Sequence, residues 1–169
     1  VVRHRVRGLS SRVDAASGLA QLDDLIERAD LVHLHNVMNP TAMARSVELA
    51  PTVVTVQDHR FFCPGPGKTL PDGSVCRAAM DDEVCRVCRP DSSYRRSTLE
   101  LTRRRLAAVE GAEIVVLSRY MARELEGAGR PGATVLPPWV EVGPVRETPG
   151  EGFVLGGRLV SHKAVADAW

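Results

Sequence analysis

The chain has no apolar run approaching the roughly 20 residues that a membrane-crossing helix needs, so these residues hold no candidate for one. Nor does it carry a surplus of either charge: 22 Lys and Arg stand against 21 Asp and Glu, a formal net charge of +1. Sequence-independent nucleic-acid binding, which needs excess cation to replace phosphate counterions, is therefore not expected. The opening VVRHRVRGLS lacks the apolar centre and small-residue cleavage site of a secretory leader, and no internal repeat is evident. A cytoplasmic protein is the expectation. Because the sequence opens on Val1 rather than Met and stops at Trp169 within a helical pattern, both ends read as truncations. The 169 residues, 44% hydrophobic and 25% charged, suffice for one packed domain but not for two.

Short apolar runs alternate with helical patterns, the signature of an α/β protein with a mostly parallel sheet. Strands are expected at 31–35 (LVHLH), 52–56 (TVVTV), 113–117 (EIVVL), 133–137 (ATVLP) and 153–157 (FVLGG), and their apolar character points to burial on both faces. Ser17 is placed to cap a helix through Leu19, Leu22 and Ile26; Ser118 is placed to cap another through Met121 and Leu125. Further helices are expected at about 41–50 and 92–110. Residues 61–90 break the rhythm and read as an inserted loop holding all four cysteines; so long a loop is usually functional or pinned by a covalent or metal constraint. The reading is thus a partial Rossmann-like domain over 1–136, a Pro- and Gly-rich linker over 137–151, and the start of a second domain over 152–169.

Three places could carry chemistry, the cysteines among them. His35 and Asn36 end one strand, and Gln57, Asp58 and His59 follow the next, so these polar side chains stand outside strand carboxyl ends, where open α/β sheets bind ligands. The plainer alternative is that the strand histidines are bonded to backbone groups and that Asp58 caps a turn. The second place is GGRLVSHK, residues 156–163: Gly157 lets backbone approach a phosphate, Arg158 can grip its oxygens with a planar fork, and Lys163 adds a point charge. An ordinary solvated turn would have the same composition.

The succession ADLVHLHN, PTVVTVQDHRFFCP, EIVVLSRYMARELEGAG, TVLPPWVE and GFVLGGRLVSHKAV resembles the glycosyltransferase family 4 enzymes of the GT-B fold, over about residues 29–169. The resemblance implies a retaining enzyme that moves a sugar, in hexosyl-type transfer, from a nucleotide-sugar donor to a sugar or lipid-linked acceptor, as in cell envelope polysaccharide synthesis. It implies acceptor-side roles for His35, Asn36 and His59, a reaction-centre role for Gln57 and Asp58, and a donor-diphosphate role for Gly157, Arg158 and Lys163, with no catalytic metal. It also implies that the remainder of the chain, with the donor-binding glutamate, is missing and that this piece is inactive alone. Three positions depart from the family pattern: Gln57 stands where many members have His, Ala164 where Gly is common, and Trp139 where the hinge often has Gly. Glutamine hydrogen-bonds but does not titrate near neutral pH, which puts proton transfer there in doubt.

Cys63, Cys76, Cys85 and Cys88 have 12, 8 and 2 residues between them. Four thiolates match a tetrahedral Zn²⁺ site, and Cys85-Arg-Val-Cys88 has zinc-knuckle spacing, although the other pair does not. Two disulfides and four uncoordinated thiols are the alternatives, with a reducing compartment weighing against the disulfides. A redox role fits less well, since this CxxC follows an Asp-Asp-Glu run in a loop and not a strand. A subset of the family is similar in carrying Cys-Pro after an aromatic pair with further cysteines nearby. Arg95, Arg96, Arg103, Arg104 and Arg105 read as a solvated basic stripe, with peripheral contact to a membrane surface or lipid-linked acceptor as the functional alternative. The competing functional readings are a zinc-stapled α/β binding module and an inactive glycosyltransferase relative.

Overall fold

The computed structural model describes residues 6–10, 14–141 and 143. Four parallel strands, β1 (Val32–His35), β2 (Thr52–Val56), β3 (Glu113–Val116) and β4 (Thr134–Val135), lie side by side in chain order. Between them run α2 (Pro40–Leu49), α4 (Ser92–Ala108) and α5 (Arg119–Gly127); α1 (Asp23–Glu27) precedes β1, and the single turn α3 (Asp82–Cys85) interrupts the long loop. The protein is therefore an α/β domain with a Rossmann-like parallel sheet. The fourth strand is only two residues long, shorter than the expected 133–137. The chain divides into units Val1–Pro137 and Pro138–Trp169. The expected strand at 153–157 lies outside the described residues.

Burial on both faces holds for β2, where Thr55 opposite Val54 and Val56 is 6% exposed, but not for the other strands. Leu34, Val54, Val56, Ile114 and Val116 are buried in one core with Met43 of α2, Ala108 of α4 and Leu125 of α5. On the other face His33, His35, Glu113 and Thr134 are exposed, while Val53 and Val115 are half-buried. The cause is topological. Each right-handed crossover that steps one strand onward in the same direction sets its helix on the same side of the sheet. All three inter-strand helices therefore cover one face.

Local chemistry fixes the helix starts. Asn39 caps α2: its Oδ1 accepts from the Ala42 N–H at 2.8 Å, its Nδ2 donates to the carbonyls of Ser10 and Ala15, and Pro40 at the first helical position needs no donor. Asp91 accepts from the Tyr94 N–H to start α4, and Ser118 accepts from the Met121 N–H to start α5 as the sequence predicts. Ser17 does not cap. The segment after it begins as a 3₁₀ turn, Leu19–Leu22, flanked by Gly18 with no side-chain cap, and only then becomes α1.

The basic stripe of α4 splits in two. Arg96, Arg103 and Arg104 face solvent, but Arg95 and Arg105 are 6% and 3% exposed. Both fall on the face shared by Leu99 and Thr102, at helical spacing. Arg95 makes a two-pronged pair with Asp82 at 2.9 and 3.1 Å and donates to the carbonyls of Arg89 and Pro90, tying the end of the cysteine loop to α4. Arg105 donates to the Met38 carbonyl at 2.9 Å and the Arg60 carbonyl at 3.4 Å. One guanidinium thus fastens the loop after β1 to the loop after β2. Arg104 pairs with Asp14.

Candidate functional site

Parallel pairing puts the carboxyl ends of β1 and β2 next to each other, with His35 opposite Thr55. His35 is the exposed last residue of β1, and its ring meets that of His33 edge-on at 5.7 Å. His33 bonds to the Thr55 hydroxyl at 2.7 Å, across the strands and on the open face of the sheet. Asn36 turns the chain out of the strand with φ +56°, a left-handed conformation that Asn tolerates better than most side chains. Gln57 is exposed just past β2.

Asp58 caps a turn, as the plainer alternative expects, and is clamped by a side chain as well. It caps the 3₁₀ turn His59–Phe61 by accepting from the Arg60 N–H at 2.9 Å, and it binds the Arg60 guanidinium with both oxygens, at 2.8 and 2.9 Å. Burial pushes its carboxyl upward, but the side-chain and backbone bonds from Arg60, helped by the charges of His59 and Arg60, outweigh that and hold it below the usual carboxylate range. Asp58 is a fixed anion, and its oxygens are occupied in positioning the turn. His59 beside it is half-buried, and Gly67, at φ +89°, passes close to its ring: a Cβ there would meet His59 Nδ1 at 3.3 Å. Burial first, then the charge of Arg60, lower the Arg105 pKa, against the opposing charge of Asp58; an arginine so placed stays charged at neutral pH.

The depressed Asp58 pKa sets a pH dependence. A carboxyl whose folded pKa lies below its unfolded value of about 3.9 contributes stability that is present in full above that value and is lost as pH falls through the folded one. With Arg60 partly exposed and the pair partly screened, the contribution is about 1 kcal/mol. Denaturant melts of the protein and of Asp58→Asn should therefore differ at about pH 6 and converge towards about pH 3. A difference that persists undiminished in acid would show that the charge of Asp58 is not what stabilises the turn.

The four cysteines line one small cavity of about 20 Å³, together with Gly65, Lys68 and Arg89. All four are free thiols and half-buried. Burial, and then the neighbouring thiols, raise the pKa of Cys88; Cys85 is raised by burial first and by Cys63 and Cys76, against a bond involving the Asp81 backbone. Among the described residues no three His, Cys, Asp or Glu side chains stand, as they are, where they could hold a metal ion. Lys68, which sequence reasoning passed over, is 7% exposed; its Nζ donates to the Ala78 carbonyl at 2.6 Å and pairs with Glu124 of α5 at 3.1 Å.

The structure thus puts His35 and Asn36 at the end of β1 and Gln57, Asp58 and His59 after the end of its neighbour β2, and gathers Cys63, Cys76, Cys85 and Cys88 separately around the loop cavity. Gly157, Arg158 and Lys163 lie outside the described residues. Arg60 and Arg105, which hold the sheet-edge loops, carried no signal beyond the arginine-rich sequence around them. Among the described residues no helix is long and apolar enough to cross a membrane. No family model, curated protein or solved structure matches the chain. What the geometry defines is a class: a parallel Rossmann-like α/β domain with a polar carboxyl edge and a cysteine-lined loop.

Proposed function

We propose that the chain is the acceptor-side part, with the beginning of the donor-side part, of a retaining glycosyltransferase of the GT-B kind, moving a hexosyl group from a nucleotide-sugar to a glycan, lipid or small-molecule acceptor. The observation that carries this is that His35 ends β1 and Asn36 follows it, while Gln57, Asp58 and His59 follow the adjacent parallel strand β2, so that all five stand at the carboxyl side of the sheet, the side on which open α/β sheets take their ligands. His35, Asn36 and His59 offer donors and acceptors to sugar hydroxyls. Gln57 hydrogen-bonds without exchanging a proton, so it orients the reacting groups. Asp58, held by Arg60, positions the turn that carries His59.

Gly157, Arg158 and Lys163 keep the diphosphate role on the strength of the resemblance alone. In that role the two cations stabilise charge as it develops on the departing nucleotide, so the leaving group needs no metal. The exposed arginines 96 and 103 leave a peripheral contact with a lipid-linked acceptor open to the same enzyme.

The test is transfer by the full-length protein, offered a panel of nucleoside-diphosphate sugars with sugar and lipid-linked acceptors. One donor class is expected to release nucleoside diphosphate in step with acceptor glycosylation. Product whose anomeric configuration is inverted would overturn the retaining mechanism. Failure of every donor to bind in saturation-transfer NMR, with no release above background, would overturn the reading and leave the binding module.

A further inference from the structure

The lining of the cysteine cavity includes none of His35, Asn36, Gln57, Asp58 and His59, and its inference stands apart from the proposed transfer. Three features around it go beyond the presence of thiols. First, the Lys68 backbone N–H points at Cys63 Sγ at 3.4 Å. The turn that aims it uses left-handed backbone at two consecutive residues, Gly67 at φ +89° and Lys68 at φ +63°, the second of which costs energy in a residue with a side chain. An amide so directed favours a sulfur that carries negative charge. Second, Arg89 lines the same cavity with a buried Nε that has no hydrogen-bond partner, while its NH2 donates to the Pro64 carbonyl at 3.4 Å. A cation left partly unsatisfied there complements an anionic cluster. Third, the backbone closes in on the sulfurs: a Cβ built on Gly65 would lie 3.6 Å from Cys63 Sγ and 4.0 Å from Cys88 Sγ. The turn after α3 is held by the Cys88 and Arg89 N–H groups donating to the Cys85 carbonyl.

We propose that Cys63, Cys76, Cys85 and Cys88 bind one Zn²⁺ as four thiolates and that the ion pins the loop they span. A set of soft sulfur donors with tetrahedral preference suits Zn²⁺ better than Mg²⁺ or Ca²⁺, which take oxygen. Binding exchanges each S–H proton for a metal–sulfur bond, with no electron transferred and up to four protons released to solvent. All four side chains already line one cavity of about 20 Å³, and binding requires their sulfurs to turn towards a common centre. Lys68 then links the metal to the rest of the fold: its amide bonds a ligand sulfur while its ammonium bonds Glu124 of α5.

Metal analysis of full-length protein purified without added zinc tests this, with thiol titration before and after a chelator. About one zinc per chain is expected, with thiols that react only after chelation. Zinc content should fall to near zero in Cys85→Ser and in Cys88→Ser. Should those variants fail to fold, Co²⁺ substitution of the unmodified protein answers instead, since a four-sulfur site gives intense tetrahedral visible bands and sulfur-to-metal charge transfer. Four freely reactive thiols with no uptake of Zn²⁺ or Co²⁺, two disulfides in the mass spectrum, or iron in place of zinc would each overturn the proposal.

Discussion

Replacing Phe61 by Ala is expected to destabilise the domain by about 3–5 kcal/mol, a large share of the whole stability of a domain this size. Phe61 is 0% exposed and closes the 3₁₀ turn that Asp58 caps, so its ring fixes the start of the cysteine loop to the core that also holds Val54, Val56 and Leu125. Neighbouring Phe62 is 4% exposed and meets Tyr120 edge-on at 6.5 Å; it cannot refill the space without leaving that contact. Denaturant unfolding should show the loss as a lower midpoint, whereas Leu31→Ala, at a side chain 57% exposed, should change the midpoint little. Equal midpoints for Phe61→Ala and the parent protein would mean that the loop start is not anchored by this ring.

The other large effect belongs to the proposed transfer. Arg158→Ala in the full-length protein is expected to lower kcat by about 100- to 1000-fold, the usual consequence of removing one fixed donor aimed at charge that forms in the transition state. Because such a contact strengthens as the diphosphate departs, the loss should fall mainly on kcat, with KM for the donor changing less. Arg158→Lys keeps the charge but loses the two-pronged grip, and should recover only part of the rate. Unchanged turnover in Arg158→Ala would remove the arginine from the reaction.

The strand positions were legible because β-branched runs such as TVVTV favour extended backbone, and β2 runs over Thr52–Val56. The open face of the sheet was legible in part: in β1 the order Val32, His33, Leu34, His35 alternates with period two, a pattern that predicts one covered face. Its apolar residues drew attention away from that alternation. At α2 the helix was expected from about 41 without its cap, although Asn39 followed by Pro40 is a strong helix start. The burial of Arg95 and Arg105 was not legible. Their partners are Asp82 and backbone carbonyls of distant loops, and neither composition nor periodicity distinguishes a buried arginine from a solvated one. The placement of the polar residues at the carboxyl side of the sheet could be foreseen because parallel strands align their carboxyl ends, whereas the clamp of Asp58 by Arg60 depends on side-chain geometry that spacing does not encode.

Strand order that follows chain order bears on how the domain is made. Among the described residues β2, β3 and β4 each pair with the strand synthesised before them, so strand and helix can dock onto an existing edge as the polypeptide emerges. The longest closure is the pairing of Val54 with Ile114, which spans the entire cysteine loop and α4. Loop closure is costly for so distant a pair, and that step is where assembly should be slowest. Until it is completed, β2 presents an unpaired apolar edge, so the interval between synthesis of β2 and β3 is when the nascent chain is most exposed to aggregation.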